Sequence, residues 1–147
     1  MIHRIIRKLL YDSTSLRARV ATRFYAEHAP ERASGEYVII SEIGGEIFNS
    51  LENEIGTTNA IVQVDCYSTT TTKARELYEM VRNRMSGYRG DVTYPGLDGN
   101  DATDTVSITM LRKGMEVTDP SDASDDWKYG YSADFNVIYT HTIPTHT

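Results

Sequence analysis

Between Ile61 and Gly87 the chain changes its hydrophobic period from about two residues to between three and four, across the threonine run Thr69 to Thr72. Val62, Val64 and Cys66 share one parity, while Gln63 and Asp65 lie on the other with Ile61 and Tyr67. The stretch therefore reads as a strand with one buried face and one half-polar face. From Lys73 onward Ala74, Leu77, Tyr78, Val81 and Met85 form a helical stripe, and Gly87 is a good C-terminal stop. Without glycines to bring backbone amides near a phosphate, the threonines read as a strand end and a helix cap. Arg75 and Glu79 are spaced for an ion pair of about 0.2–0.5 kcal/mol. A strand joined this tightly to a helix, each apolar on one side, can bury both only by stacking helix on sheet in two layers.

The rest of the chain supplies matching pieces. Ile2, Ile5, Ile6, Leu9 and Leu10 recur at helical spacing. Asp12-Ser-Thr-Ser ends that helix and caps a short second one through Leu16 to Val20, before the chain loosens from Ala29 to Gly35. Tyr37-Val-Ile-Ile-Ser-Glu-Ile43 is apolar on both parities, as an inner strand is, and Gly44-Gly45 is expected to stop it. Val106, Ile108 and Met110 alternate with Thr105, Ser107 and Thr109; Tyr131, Ala133, Phe135, Val137 and Tyr139 alternate with polar residues and Ile138. Between these runs lies an acidic hairpin, 114–130, and Asp91 to Asp104 reads as a Gly- and Asp-rich loop. The expectation is an α+β two-layer sandwich in the order α-β-β-α-β-β. A mainly antiparallel four-stranded sheet carries two main helices on one face, with Val64, Leu77, Val81, Ile108 and Phe135 between the layers.

A length of 147 residues suits one domain, 1–147, ending in a short tail, 141–147. The net charge of −6 is unevenly placed: Arg4, Arg7, Lys8, Arg17, Arg19, Arg23 and Arg32 crowd the first segment, and acids collect from Asp91 to Asp126. That balance argues against general nucleic-acid binding. No signal peptide or spanning apolar run is evident, which points to synthesis in a cytoplasm and no membrane partner. Chemistry-bearing residues are sparse. Cys66 with His141 is a weak nucleophile pair, since Cys66 shares the buried parity of Val64. His141 and His146 sit near a terminus, His3 and His28 are isolated, and Asp98 to Asp104 lacks the Gly and final Glu of a helix-loop-helix calcium site. No catalytic residue, cofactor or metal is expected.

Taken in order, Tyr37-Val-Ile-Ile-Ser-Glu-Ile-Gly-Gly45, Val62-Gln-Val-Asp-Cys-Tyr67, Ala74-Arg-Glu-Leu77 with Val81-Arg82, and Asp134-Phe-Asn-Val-Ile-Tyr139 resemble the tail-completion (tail terminator, or tail-to-head joining) proteins of long-tailed bacteriophages. The resemblance covers most of Ile2 to Tyr139. It departs where Gly35-Glu36 precede Tyr37, a position at which the family often has a proline. It implies a homohexameric ring in the virion, at the head-proximal end of the tail and assembled in the host cytoplasm. Such a ring caps the tail tube, ends its polymerisation and offers a surface to the head-tail connector protein. DNA would pass through its channel without specific binding, and no enzyme activity is implied.

Two other classes compete: a stopper or adaptor ring of the head-tail connector, and a soluble non-viral binding module or enzyme using Cys66 or Asp65. For a ring, the candidate lumen or interface residues are Asp65, Asp134, Ile61, Tyr67, Leu111 and Ile138. Asp91, Asp98, Asp101 and Asp104 are further acids for a lumen; the rival reading sets the acids against Arg4, Arg7 and Lys8 of a neighbouring subunit.

Overall fold

The computed structural model describes residues 2–27, 36–49, 54–95, 99–118 and 128–140. Two helices come first, α1 (Ile2–Tyr11) and α2 (Thr14–Val20), followed by strands β1 (Phe24–Ala26), β2 (Tyr37–Asn49) and β3 (Glu54–Ser68). Helix α3 (Thr71–Met85) then leads to β4 (Arg89–Pro95), β5 (Asp101–Thr118) and β6 (Lys128–Thr140). The strands form one sheet in the order β1-β2-β3-β6-β5-β4. All neighbours are antiparallel except β1 and β2.

The α+β class is as expected, and the sheet is larger than the four strands read from sequence. Two short edge strands account for the difference. β1 is three residues long, too short for an alternation to register, and it lies parallel to β2 through Phe24↔Val38 and Ala26↔Ile40. β4 and the start of β5 make a hairpin of the segment read as a loop from Asp91 to Asp104, with Val92 and Tyr94 turned inward among polar neighbours. β1 explains why β2 is apolar on both parities, since β2 is an interior strand. Gly44-Gly45 does not end β2, which runs on to Asn49 beside β3. The glycines follow a bulge at which Ile43 is the extra residue between Glu42 and Gly44, the role a glycine inside a strand commonly marks. The tip of the acidic hairpin, 119–127, and the tail, 141–147, lie outside the described residues.

Helices cover one face only. α1 buries Ile2, Ile5, Ile6, Leu9 and Leu10, α2 buries Leu16 and Val20, and α3 buries Ala74, Leu77, Tyr78, Val81 and Met85. They meet Val38, Ile40, Val62, Val64, Cys66, Val106, Ile108, Phe135 and Val137 from the sheet. α3 packs over the central strands β3 and β6, whereas α1 touches both β2 and β4, near opposite edges of the sheet. The sheet is therefore curled around its helices. Val64, Leu77, Val81, Ile108 and Phe135 are all at most 2% exposed, as their parity and helical phase require.

Local chemistry fixes the helix ends. Ser13 Oγ accepts from Leu16 N at 3.4 Å and caps α2, and Thr70 Oγ1 accepts from Lys73 N at 3.1 Å and caps α3. Gly87 takes the left-handed conformation, φ 79°, just past α3, and its N–H donates to Ile108 O. Glu79 pairs with Arg82 at 3.5 Å rather than with Arg75. Arg19 locks the helical layer to β2. Its Nε and Nη2 donate to the two Glu36 carboxylate oxygens at 2.8 and 2.6 Å, and its Nη1 reaches Glu76 of α3 at 3.2 Å.

Candidate functional site

Because the helices occupy one face, every outward residue of the central strands belongs to a second, open face. It can be read row by row from the strand register. At one end Tyr67 lies opposite Tyr37, and their rings stack with centroids 5.1 Å apart; Tyr25 joins them, 6.0 Å from Tyr37. The next row holds Ile39, Asp65 and Ser132, and the one after holds Ser41, Gln63 and Asp134. Gln63 Nε2 donates to Asp65 Oδ1 at 3.0 Å. Ile61 and Asn136 follow, then Asn59 and Ile138.

The six residues singled out from sequence thus fall in four places. Asp65 and Asp134 lie in adjoining central rows. Asp65 is half-buried, and Asp134 is only 7% exposed, between Gln63 on β3 and Arg112 on β5 in register. Tyr67 belongs to the tyrosine stack. Ile61 and Ile138 are diagonal neighbours across β3 and β6, the spacing at which long side chains still touch. Leu111 stands apart as the extra residue of a bulge between Met110 and Arg112, and it is 53% exposed.

Ile43 was not legible as a surface residue. It is 48% exposed and occupies the other bulge, so among the described residues two of the three exposed large hydrophobics, Ile43 and Leu111, are bulge residues. A bulge re-aims a side chain that plain alternation would place elsewhere. The Gly44-Gly45 pair was the available signal. Tyr25 and Tyr37 were missed for another reason, since they gain their role only when β1 and β2 come together.

The outward face has one further property. On β2, β3, β6 and β5 no Lys or Arg occurs among the described side chains, and the outward residues are Ser, Thr, Asn, Gln, Asp, Tyr and aliphatics. Of the additional acids, Asp91 and Asp101 are exposed, and Asp91 accepts from Thr105 Oγ1 at 2.8 Å. Asp98 lies outside the described residues. Asp104 belongs to the opposite layer: it is 5% exposed, pairs with inward Val92, and accepts a hydrogen bond from the Tyr94 hydroxyl. Burial, and next that carboxylate, push the Tyr94 hydroxyl well above its usual range.

The nucleophile reading gains nothing from the geometry. Cys66 is fully buried among core residues, and burial, followed by the Asp65 charge, raises its thiol far above the ordinary value. A thiol held protonated is a poor nucleophile. His141 lies outside the described residues. Among the described residues no group of three or more His, Cys, Asp or Glu is placed to hold a metal ion, and no helix is long and apolar enough to cross a membrane.

No protein-family model matches the chain, and no curated protein matches it by sequence. The fold does have solved counterparts. A chain from the virion of a native gene transfer agent particle superposes with a TM-score of 0.60 over 95% of this chain and 94% of its own, at 14% identity. At that identity the likeness is one of fold, and it extends over both chains almost end to end.

Proposed function

We propose that the protein is a structural component of a phage-like virion: a ring-forming tail terminator that caps the tail tube, stops its growth and receives the head. The observation that carries this reading is the near end-to-end fold likeness to a chain of a gene transfer agent virion, a particle built on a virion plan. The ordered strand and helix motifs that resemble tail-completion proteins support the finer assignment, and the burial of Cys66 weighs against a cysteine nucleophile. In this proposal the open sheet face lines the channel. Duplex DNA binds proteins by exchanging counterions for Lys and Arg. A wall whose described outward side chains are Asp65, Asp134 and neutral polar or aliphatic residues, with no Lys or Arg among them, would let DNA slide past.

Purified tail tubes polymerised with and without the protein test the capping role. Tubes of fixed length that stop growing at one end are expected in its presence; tubes that elongate equally in both cases overturn it. The channel assignment has its own readout. Asp65→Lys should leave tails joined to heads yet slow DNA ejection severalfold, whereas loss of the ring would make Asp65 a subunit contact instead.

A further inference from the structure

We propose that a basic groove on the solvent side of α1 binds an acidic, extended segment of a second protein. The groove is a cavity of about 510 Å3 lined by Arg4, Arg7, Lys8, Tyr11, Thr22 and Pro95, room for a few side chains. Thr22 precedes β1 and Pro95 ends β4, the two edge strands, so the groove sits where the edges of the curled sheet approach each other across α1. Its charge is not balanced from within. Arg4 Nη1 donates to Pro95 O at 2.9 Å, which uses one of the five donors of a guanidinium. Lys8 meets Asp12 at 2.9 Å, whereas Arg4 and Arg7 have no carboxylate within ion-pair distance among the described residues. Arg17 stands over the Tyr11 ring, 5.3 Å from its centroid, and adds a further cation beside the groove.

The occupant follows from charge and shape. Guanidinium forks grip carboxylates with paired hydrogen bonds, and Tyr11 and Pro95 give the stems of incoming side chains an apolar wall. Duplex DNA fits less well. A hollow of this size takes side chains and does not admit a duplex, and the net charge of −6 opposes a long polyanion. A second copy of this chain offers no matching patch among its described side chains. Asp12, Glu27, Glu76 and Glu79 already meet Lys8, His3, Arg19 and Arg82, and Asp91 accepts from Thr105. Glu42 and Asp101 lie on strands separated by two others, too far apart to present paired carboxylates. The acidic segment therefore belongs to a different protein. The groove is on the helical side, away from the open sheet face, so the inference goes beyond the terminator reading and does not rest on it.

Fluorescence anisotropy of a labelled hexaglutamate peptide, titrated with the full-length protein at low salt, tests the site. Saturable binding is expected for hexaglutamate and none for hexaglutamine. Arg7→Gln should weaken it at least about tenfold, as expected for loss of one close charge pair. Arg7 is exposed, so circular dichroism should show an intact fold. Lys8→Gln, which removes a cation already matched by Asp12, should weaken binding less. The proposal is overturned if no saturable binding appears up to millimolar concentration, if hexaglutamine binds equally, or if Arg7→Gln leaves the affinity unchanged. It is also overturned if a short DNA duplex or inorganic phosphate binds through Arg7 more tightly than the peptide, which would make the groove a phosphate site. Sedimentation run alongside checks the remaining occupant: self-association that Arg7→Gln abolishes would seat a second copy in the groove and overturn the assignment to a different protein.

Discussion

Phe135 sits at the centre of β6 with none of its surface exposed, facing α3 across the layer. Phe135→Ala should lower the unfolding free energy by about 3–5 kcal/mol, read from urea titration, because the curled sheet cannot close over the missing ring. An unchanged midpoint would place the residue elsewhere. Cys66 is neighbour to the same layer and gives a pH signature. An unfolded thiol titrates near pH 9.0, and in the folded chain burial holds the proton on to higher pH. The folded state thus binds the proton more tightly. The stabilisation is complete below about pH 9 and is lost as pH rises beyond it, by at most about 1.4 kcal/mol per pH unit for one group. Thermal unfolding should decline earlier on the alkaline side in the wild type than in Cys66→Ala, where only groups such as Tyr94 remain to titrate. Both residues were legible from parity alone. Asp104 was not, because a carboxylate at an inward position is recognisable only beside the Tyr94 hydroxyl that satisfies it.

At the scale of elements, one arginine adds a polar tie between the layers to the apolar packing. Arg19 of α2 grips Glu36 at the entrance to β2 with two parallel hydrogen bonds and reaches Glu76 on α3. The pair is largely but not wholly shielded, with the two side chains 23% and 16% exposed. Arg19→Ala should therefore cost about 1–2 kcal/mol, less than a fully buried charge-assisted pair. Arg19→Lys should recover little of it, since an ammonium cannot span both carboxylate oxygens. Equal stability of the lysine variant and the wild type would reduce the contact to simple charge pairing. The strand and helix cores could be read from sequence because each carries several periods of alternation. β1 has too few residues for any period, and its parallel pairing with β2 depends on partners distant in sequence. The glycine pair misled for a physical reason: the same freedom that ends a strand also permits a bulge within one.

For the whole molecule, a two-layer domain with one helical face, one open face without Lys or Arg among its described side chains and a long β5–β6 hairpin offers the separate surfaces that the proposed ring needs. The hairpin, the helical stripe and a half-polar second face around Asp65 could be foreseen from sequence; the full extent of that face could not. Its rows took shape when strands from both halves of the sequence came together, and the bulges added Ile43 and set Leu111 apart. The central claim is that these surfaces build a ring at the head-proximal end of a tail. A cryo-electron microscopic reconstruction of the particle that carries this chain tests it most directly. The account predicts six copies in a closed ring between tail tube and connector, helices away from the channel and the Asp65 row facing it. Placement of the chain in the capsid or at the distal tip, or the absence of sixfold density at the head-proximal end, would contradict it.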